Sequence, residues 1–195
     1  MISCAMKTLK LLAVSVVAAI AAACASEENE VIVVHPHEAE PSDCRGCTRV
    51  FLAGTIDMGS SEDWQAEAAE LLKQMPGSFI VYNPRQKEWH PEIEGEMDYQ
   101  VNWELEHLEK ADIILMNFLP DSKSPITLLE LGLHARSGKL RVICPQEFYR
   151  YDNVRITCKR YGVPMFSNLS DAAAPCGSKI KEGRPCGHPS FAIME

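Results

Sequence analysis

A chain of 195 residues with 46% hydrophobic content can bury one good core, so one globular unit is expected rather than two. Its formal net charge of −8 and its lack of any long basic cluster speak against a nucleic-acid partner, whose phosphates need lysine and arginine.

The first residues stand apart from that core. In "MKTLKLLAVSVVAAIAAAC", Lys7 and Lys10 precede an apolar run from Leu11 to Ala23 that is too short to span a membrane comfortably. The run ends in small residues and Cys24, as an export signal does. The Ala-Ala-Ala-Cys junction is similar to a lipobox, with Ala21 where leucine is usual, and lipid on Cys24 would anchor the mature chain. Cleavage after Ala23 or Ala25 is one alternative; a cytoplasmic protein with a later start codon is another. Residues 1–25 are therefore read as signal, 26–48 as a linker opening on "SEENE", 49–168 as the folded domain and 169–195 as a cysteine-containing tail.

Within the domain, strand and helix alternate. "RVFLAG" is a compact apolar strand closed by glycine, followed by the loop "TIDMGSS". Residues 62–75 form an amphipathic helix with Trp64, Ala68, Leu71, Leu72 and Met75 inward. "SFIVYNP" is a second strand, and the polar loop after Pro84 is long enough to be functional. Residues 100–110 make the next helix, with Met97, Val101, Leu105 and Leu108 as its apolar stripe. "DIILMNF" is the third strand. Ser124 can cap a helix that Pro125 starts and Gly138 stops, and its many apolar residues predict burial on most sides. "LRVICP", a helix at 153–161 and "VPMF" complete the series. Such alternation predicts an α/β fold: a doubly wound parallel sheet of the Rossmann or flavodoxin kind, with three layers.

Ligands of such sheets bind beyond the carboxyl ends of the strands. That rule selects Gly54, Thr55 and Asp57 after the first strand, Asn83 and Arg85 after the second, and Asp121 and Ser124 after the third. Glu130 lies on the helix that Ser124 begins. At about 100° per residue, Glu104 falls between Val101 and Leu108, on the inward side of the preceding helix. Two carboxylates about 5 Å apart are the apparatus of retaining glycosyl chemistry, one attacking the anomeric carbon and the other handling a proton. Taken singly, each residue has a plainer reading: Glu130 as a partner of Arg85 or Arg136, Asp57 and Asp121 as turn residues.

Of the eight cysteines, Cys4 and Cys24 fall in the signal, and Cys144 and Cys158 read as buried thiols. Cys44 and Cys47 form a CxxC, and Cys176 and Cys186 flank a Gly/Lys/Pro-rich tail. Their spacing matches no strong zinc pattern, and disulfides are expected in an exported chain. No metal and no cofactor is expected.

"VFLAGTIDMG", "YNPR", "NWELEHLEKADIILMNF" and "SPITLLELGLHARSGK", in that order and spacing, resemble the nucleoside 2-deoxyribosyltransferase family over roughly residues 49–166. The resemblance implies that Glu130, in the ELG motif, is the nucleophile, and that Glu104 assists in acid-base work where many relatives have Asp. It places Phe51 where several members carry a catalytic tyrosine, and Ser124 near an Asp of the transferases. It implies a nucleoside and a nucleobase as substrates, and transfer of deoxyribose through a covalent Glu130 ester, with Asp57 or Glu104 protonating the leaving base. It also implies a homo-oligomer whose subunits share sites, Asn153 being the candidate for the shared group. Related hydrolases hold a 5′-phosphate partly through an arginine in the first loop; here that loop is acidic, which favours a nucleoside. A hydrolase with water as sole acceptor and a non-catalytic nucleoside-binding module are the alternatives.

Overall fold

The computed structural model describes residues 30–42 and 44–174. The signal with Cys4 and Cys24, and the tail with Cys176 and Cys186, lie outside the described residues. Within them, β1 (Val31–Val34), β2 (Thr48–Gly54), β3 (Phe79–Tyr82), β4 (Ile113–Asn117), β5 (Leu140–Ile143) and β6 (Met165–Phe166) form one parallel sheet in the order β1-β3-β2-β4-β5-β6. β3, β4 and β5 are buried at every position, as strands covered on both faces must be.

Helix α1 (Trp64–Lys73) joins β2 to β3, α2 (Glu96–Lys110) joins β3 to β4, α3 (Pro125–His134) joins β4 to β5, and α4 (Tyr151–Tyr161) joins β5 to β6; α5 (Leu169–Ala173) follows. The step from β2 to β3 runs one way along the sheet and the later steps run the other way, so right-handed crossovers put α1 on one face and α2, α3 and α4 on the other. The two cores agree. Trp64, Leu72 and Ala172 pack on Val50, Leu52 and Leu115 on one side, while Trp103, Leu131 and Val154 pack on Phe51, Ile114 and Val142 on the other. The chain changes winding direction between β2 and β4, and at such a switch point sheets of this kind bind ligands beyond the carboxyl ends of the strands.

Four expectations need correction. The segment read as a linker contains β1, whose four β-branched residues pair in register with Phe79–Tyr82. It also holds a disulfide between Cys44 and Cys47. The start of the expected tail is α5, which closes the α1 face. Helix α2 begins at Glu96, a turn earlier than its pattern suggested.

The fourth correction concerns two helix faces. Met97, Val101 and Leu105 are each at least 43% exposed, and Ile126, Leu129 and Leu133 at least 57%. The face of α2 that meets the sheet carries Gln100, Trp103, His107 and Leu108 instead, with His107 stacked on Trp103 at 4.1 Å and edge-on to Tyr82 at 4.5 Å. An aromatic ladder thus replaces the aliphatic stripe, which is turned roughly a third of a circle away. Apolar periodicity identifies a face that avoids water but not what covers it.

Candidate active site

The site starts where β2 ends. Gly54 has φ +149, and a Cβ there would stand 2.3 Å from the Asn117 carbonyl oxygen and 2.7 Å from the Trp64 ring. Glycine is required because β2 and β4 approach too closely for a side chain. Thr55 follows, buried, its carbonyl accepting from the Trp64 indole at 2.9 Å and its hydroxyl oxygen accepting from the Leu119 amide at 3.1 Å. The carboxyl ends of the two central strands are tied together at this residue.

A chain of hydroxyls continues from it. Ser122 donates to Asp57 Oδ1 at 2.8 Å, so its single hydrogen is assigned. Ser124 must then donate to Ser122 across 2.9 Å, and Thr55 to Ser124 across 2.6 Å. The expected cap is thereby revised. Ser124 occupies the capping position of α3, but its hydroxyl makes no bond to the helix and points into this chain. Its backbone is left-handed (φ 41, ψ 54), as are Asp57 (φ 47) and Met58 (φ 54) in the short 3-10 turn Asp57–Gly59. Each such non-glycine residue costs roughly 1–2 kcal/mol, and strain of this kind gathers at functional sites.

Arg85 serves the same loop. Its guanidinium donates to the carbonyls of Gly59 (3.2 Å), Ser61 (3.2 Å) and Glu62 (2.9 Å), to the Ser61 hydroxyl (2.8 Å) and to Gln65 Oε1 (3.2 Å). It lies 3.6 Å from Asp63 rather than against either glutamate. Arg85 therefore clamps the β2–α1 loop, each of its three guanidinium nitrogens donating to a protein acceptor. Asn83, buried, accepts from the Arg85 amide at 3.0 Å and shapes that turn. Asp121 is exposed at the turn before α3, and Asn153 is exposed on the first turn of α4.

Glu130 and Glu104 come from neighbouring helices on one face. Glu130 is 7% exposed, on the face of α3 that also carries Thr127, Leu131 and His134. Among the described residues no hydrogen bond to its carboxyl is present, and neither Arg85 nor Arg136 is paired with it. Burial, aided by the charge of Glu104, pushes its pKa up to about 8. Glu104 is half-buried, and burial raises its pKa too, opposed by a 2.7 Å hydrogen bond from Gln100 Nε2. Asp57 is anchored to Ser122, eight residues before Glu130 and ahead of the helix, whose rise from Ser124 to Glu130 alone is roughly 9 Å. Glu104 is the carboxylate whose charge Glu130 senses.

Phe51, at the tyrosine position of the resemblance, is fully buried with its ring 6.2 Å from Trp103. Tyr82 is its in-register neighbour on β3, but its hydroxyl is held by Glu40, and burial and that carboxylate push its pKa up to about 12. Sequence reasoning missed Gln65, Gln86 and Gln100. Gln100 was within reach, since it stands one turn before Glu104 on the same face. Among the described residues, no group of three or more His, Cys, Asp or Glu is placed to hold a metal ion.

The family model described as nucleoside 2-deoxyribosyltransferase like matches residues 47–148. The solved structure of the 2-deoxyribosyltransferase from the psychrotolerant bacterium Bacillus psychrosaccharolyticus is similar at 18% identity, covering 65% of this chain and 90% of that one, with a TM-score of 0.48. No curated protein matches the sequence.

Proposed function

The chain belongs to the nucleoside 2-deoxyribosyltransferase-like family, and we propose that it moves a 2-deoxyribosyl group between nucleobases through a covalent ester on Glu130. The observation that carries this reading is the pair of carboxyls: Glu130 buried without a hydrogen-bond partner among the described residues, and Glu104 close enough to raise its pKa. A carboxyl kept only for structure would be expected to hold a cation or a backbone amide.

Two coupled carboxyls titrate as a unit, and between their two apparent pKa values they share one proton. The reactive arrangement has that proton on Glu104. Protonating Glu104 removes the charge that helps hold Glu130 neutral, so Glu130 ionises more easily while the leaving base gains its acid. Glu130 then attacks C1′ through an oxocarbenium-like transition state, and the departing base takes the proton from Glu104. A second base takes the sugar in the reverse sense, returning a proton to Glu104. Asp57 and Asp121, exposed at the strand ends, are assigned to the sugar hydroxyls, with Thr55 and Ser124 holding the crevice in shape.

A nucleoside suits this site better than a nucleotide. The first loop carries Asp57, Glu62 and Asp63, and all three guanidinium nitrogens of Arg85 are engaged by protein acceptors. A 5′-phosphate would meet negative charge there.

A homo-oligomer fits the exposed stripes of α2 and α3. Glu104 and Glu130 each lie between the sheet-facing side of their helix and its exposed apolar stripe, so a second copy on those stripes would wall the pair from water. Asn153 is the residue proposed to cross between copies. Export is proposed from the signal at 1–25, with lipid at Cys24; the Cys44–Cys47 disulfide supports an oxidising compartment.

The test is incubation with a 2′-deoxynucleoside, with and without a second free base. Transfer predicts a new nucleoside that depends on the second base. Free deoxyribose in equal yield with or without that base would make the protein a hydrolase, and no turnover would favour a non-catalytic binding module.

A further inference from the structure

The buried face of α2 carries an amide that the chemistry above does not use. Gln100 is buried one turn before Glu104. Its Nε2 donates to the Pro84 carbonyl at 3.0 Å and to Glu104 Oε1 at 2.7 Å. Its Oε1 accepts from Gln86 Nε2 at 2.7 Å, and Gln86 Nε2 also donates to Glu96 at 2.9 Å. Both hydrogens of each amide are thus assigned. Turning the Gln100 amide over would set its oxygen against the Pro84 carbonyl and the Glu104 carboxylate, and its NH2 against that of Gln86. Three hydrogen bonds would become three repulsions, so the orientation is fixed from two sides.

We propose that Gln100 is the positioning residue for Glu104, held by Gln86 and the Pro84 carbonyl so that it aims one N–H at the carboxylate that must give up and regain a proton. The proposal rests on the reading of Glu104 as the proton carrier. In the first half-reaction a bond forms between Glu130 and C1′ while the C1′–N bond breaks. The bonding pair leaves with the base, and the Glu104 proton goes to the base nitrogen. Glu104 is then an anion in a half-buried place, and Glu130 of α3, which senses its charge, is now neutral as its ester. The Gln100 N–H steadies that anion. In the second half-reaction the incoming base attacks C1′, the ester bond breaks, and the proton on the base nitrogen passes to Glu104. A group that serves both directions needs its two forms close in free energy. Burial favours the acid and the Gln100 hydrogen bond favours the anion.

Gln100→Met keeps the length and removes the amide. Hydrogen bonds to charged groups and small misplacements at reacting groups predict a fall in kcat of about 10- to 100-fold with KM within about threefold. The limb of the pH profile that requires protonated Glu104 should move to higher pH. A second readout is independent of turnover: carbon-13 NMR of the glutamate carboxyls in a Glu130→Gln background, where Glu104 titrates without its coupled partner. Adding Gln100→Met should raise the Glu104 midpoint, and Gln86→Met, a milder change farther from the pair, should raise it less. An unmoved Glu104 midpoint in both variants would overturn the proposal, as would a Gln100→Met enzyme that loses only KM. If the wild type turns over no deoxynucleoside, the proposed function falls, and the Glu104 titration still decides whether Gln100 governs that carboxyl. If Gln100→Met does not fold, Gln86→Met decides by the same two readouts.

Discussion

Glu130 ties stability to pH in a defined direction. Its folded pKa of about 8 lies above the ordinary carboxyl value of 4.5, so the folded state binds the proton more tightly than the unfolded chain. That contribution is complete below pH 4.5 and is lost as pH rises through 8. Glu130→Gln, which cannot ionise, should abolish the loss, making the variant more stable than wild type at pH 9 by roughly 3–5 kcal/mol, and little different near pH 5. Urea unfolding at the two pH values measures this; equal slopes of stability against pH in the two proteins would count against a buried, neutral Glu130. The place of Glu130 was legible in the sequence because a carboxylate in a largely apolar helix must either be satisfied or be functional. Arg85 was not legible: its acceptors are mostly main-chain carbonyls of a loop whose path no side-chain pattern records. Ser124 misled for a related reason, since a serine before a helix predicts a cap unless another hydroxyl competes for it.

At the scale of elements, the alternation of strands and helices was readable because β2, β3 and β4 each carry an unbroken apolar run that ends at glycine or asparagine. β1 was harder to see, being four residues behind an acidic stretch, as was the five-residue α5. The stripes of α2 and α3 were seen as apolar and assigned to the wrong neighbour. Their exposure leads to an assembly prediction. Leu129→Lys and Val101→Lys each put a charge in the middle of a stripe without touching the sheet, so the fold should persist while the apparent mass in sedimentation drops toward one chain. A protein that is monomeric before the change would refute the proposed interface. Gly54 yields a different kind of prediction. Gly54→Ala forces a methyl against the Asn117 carbonyl and Trp64, and it should cost about 1–3 kcal/mol of stability and distort the Thr55 end of the site. Unchanged thermal unfolding would mean that β2 and β4 are not so close.

For the whole molecule, the site belongs to a topology: the winding reverses between β2 and β4, and the helices that follow β3 and β4 bring two glutamates to one face. The proposed export signal adds a location, and Cys24→Ser should move the mature chain from the detergent phase to the aqueous phase if lipid is attached there. A chain that enters the aqueous phase with Cys24 intact would remove the anchor. The claim on which the rest depends is that Glu130 bonds to C1′. A 2′-fluoro-2′-deoxynucleoside destabilises the oxocarbenium-like state and can slow turnover of the ester. After incubation, mass spectrometry of the digested wild type should find the fluorosugar on the peptide spanning residues 128–132, and Glu130→Gln should carry none. A Glu130→Gln protein with near-normal transfer, or an adduct on another residue, would contradict the account.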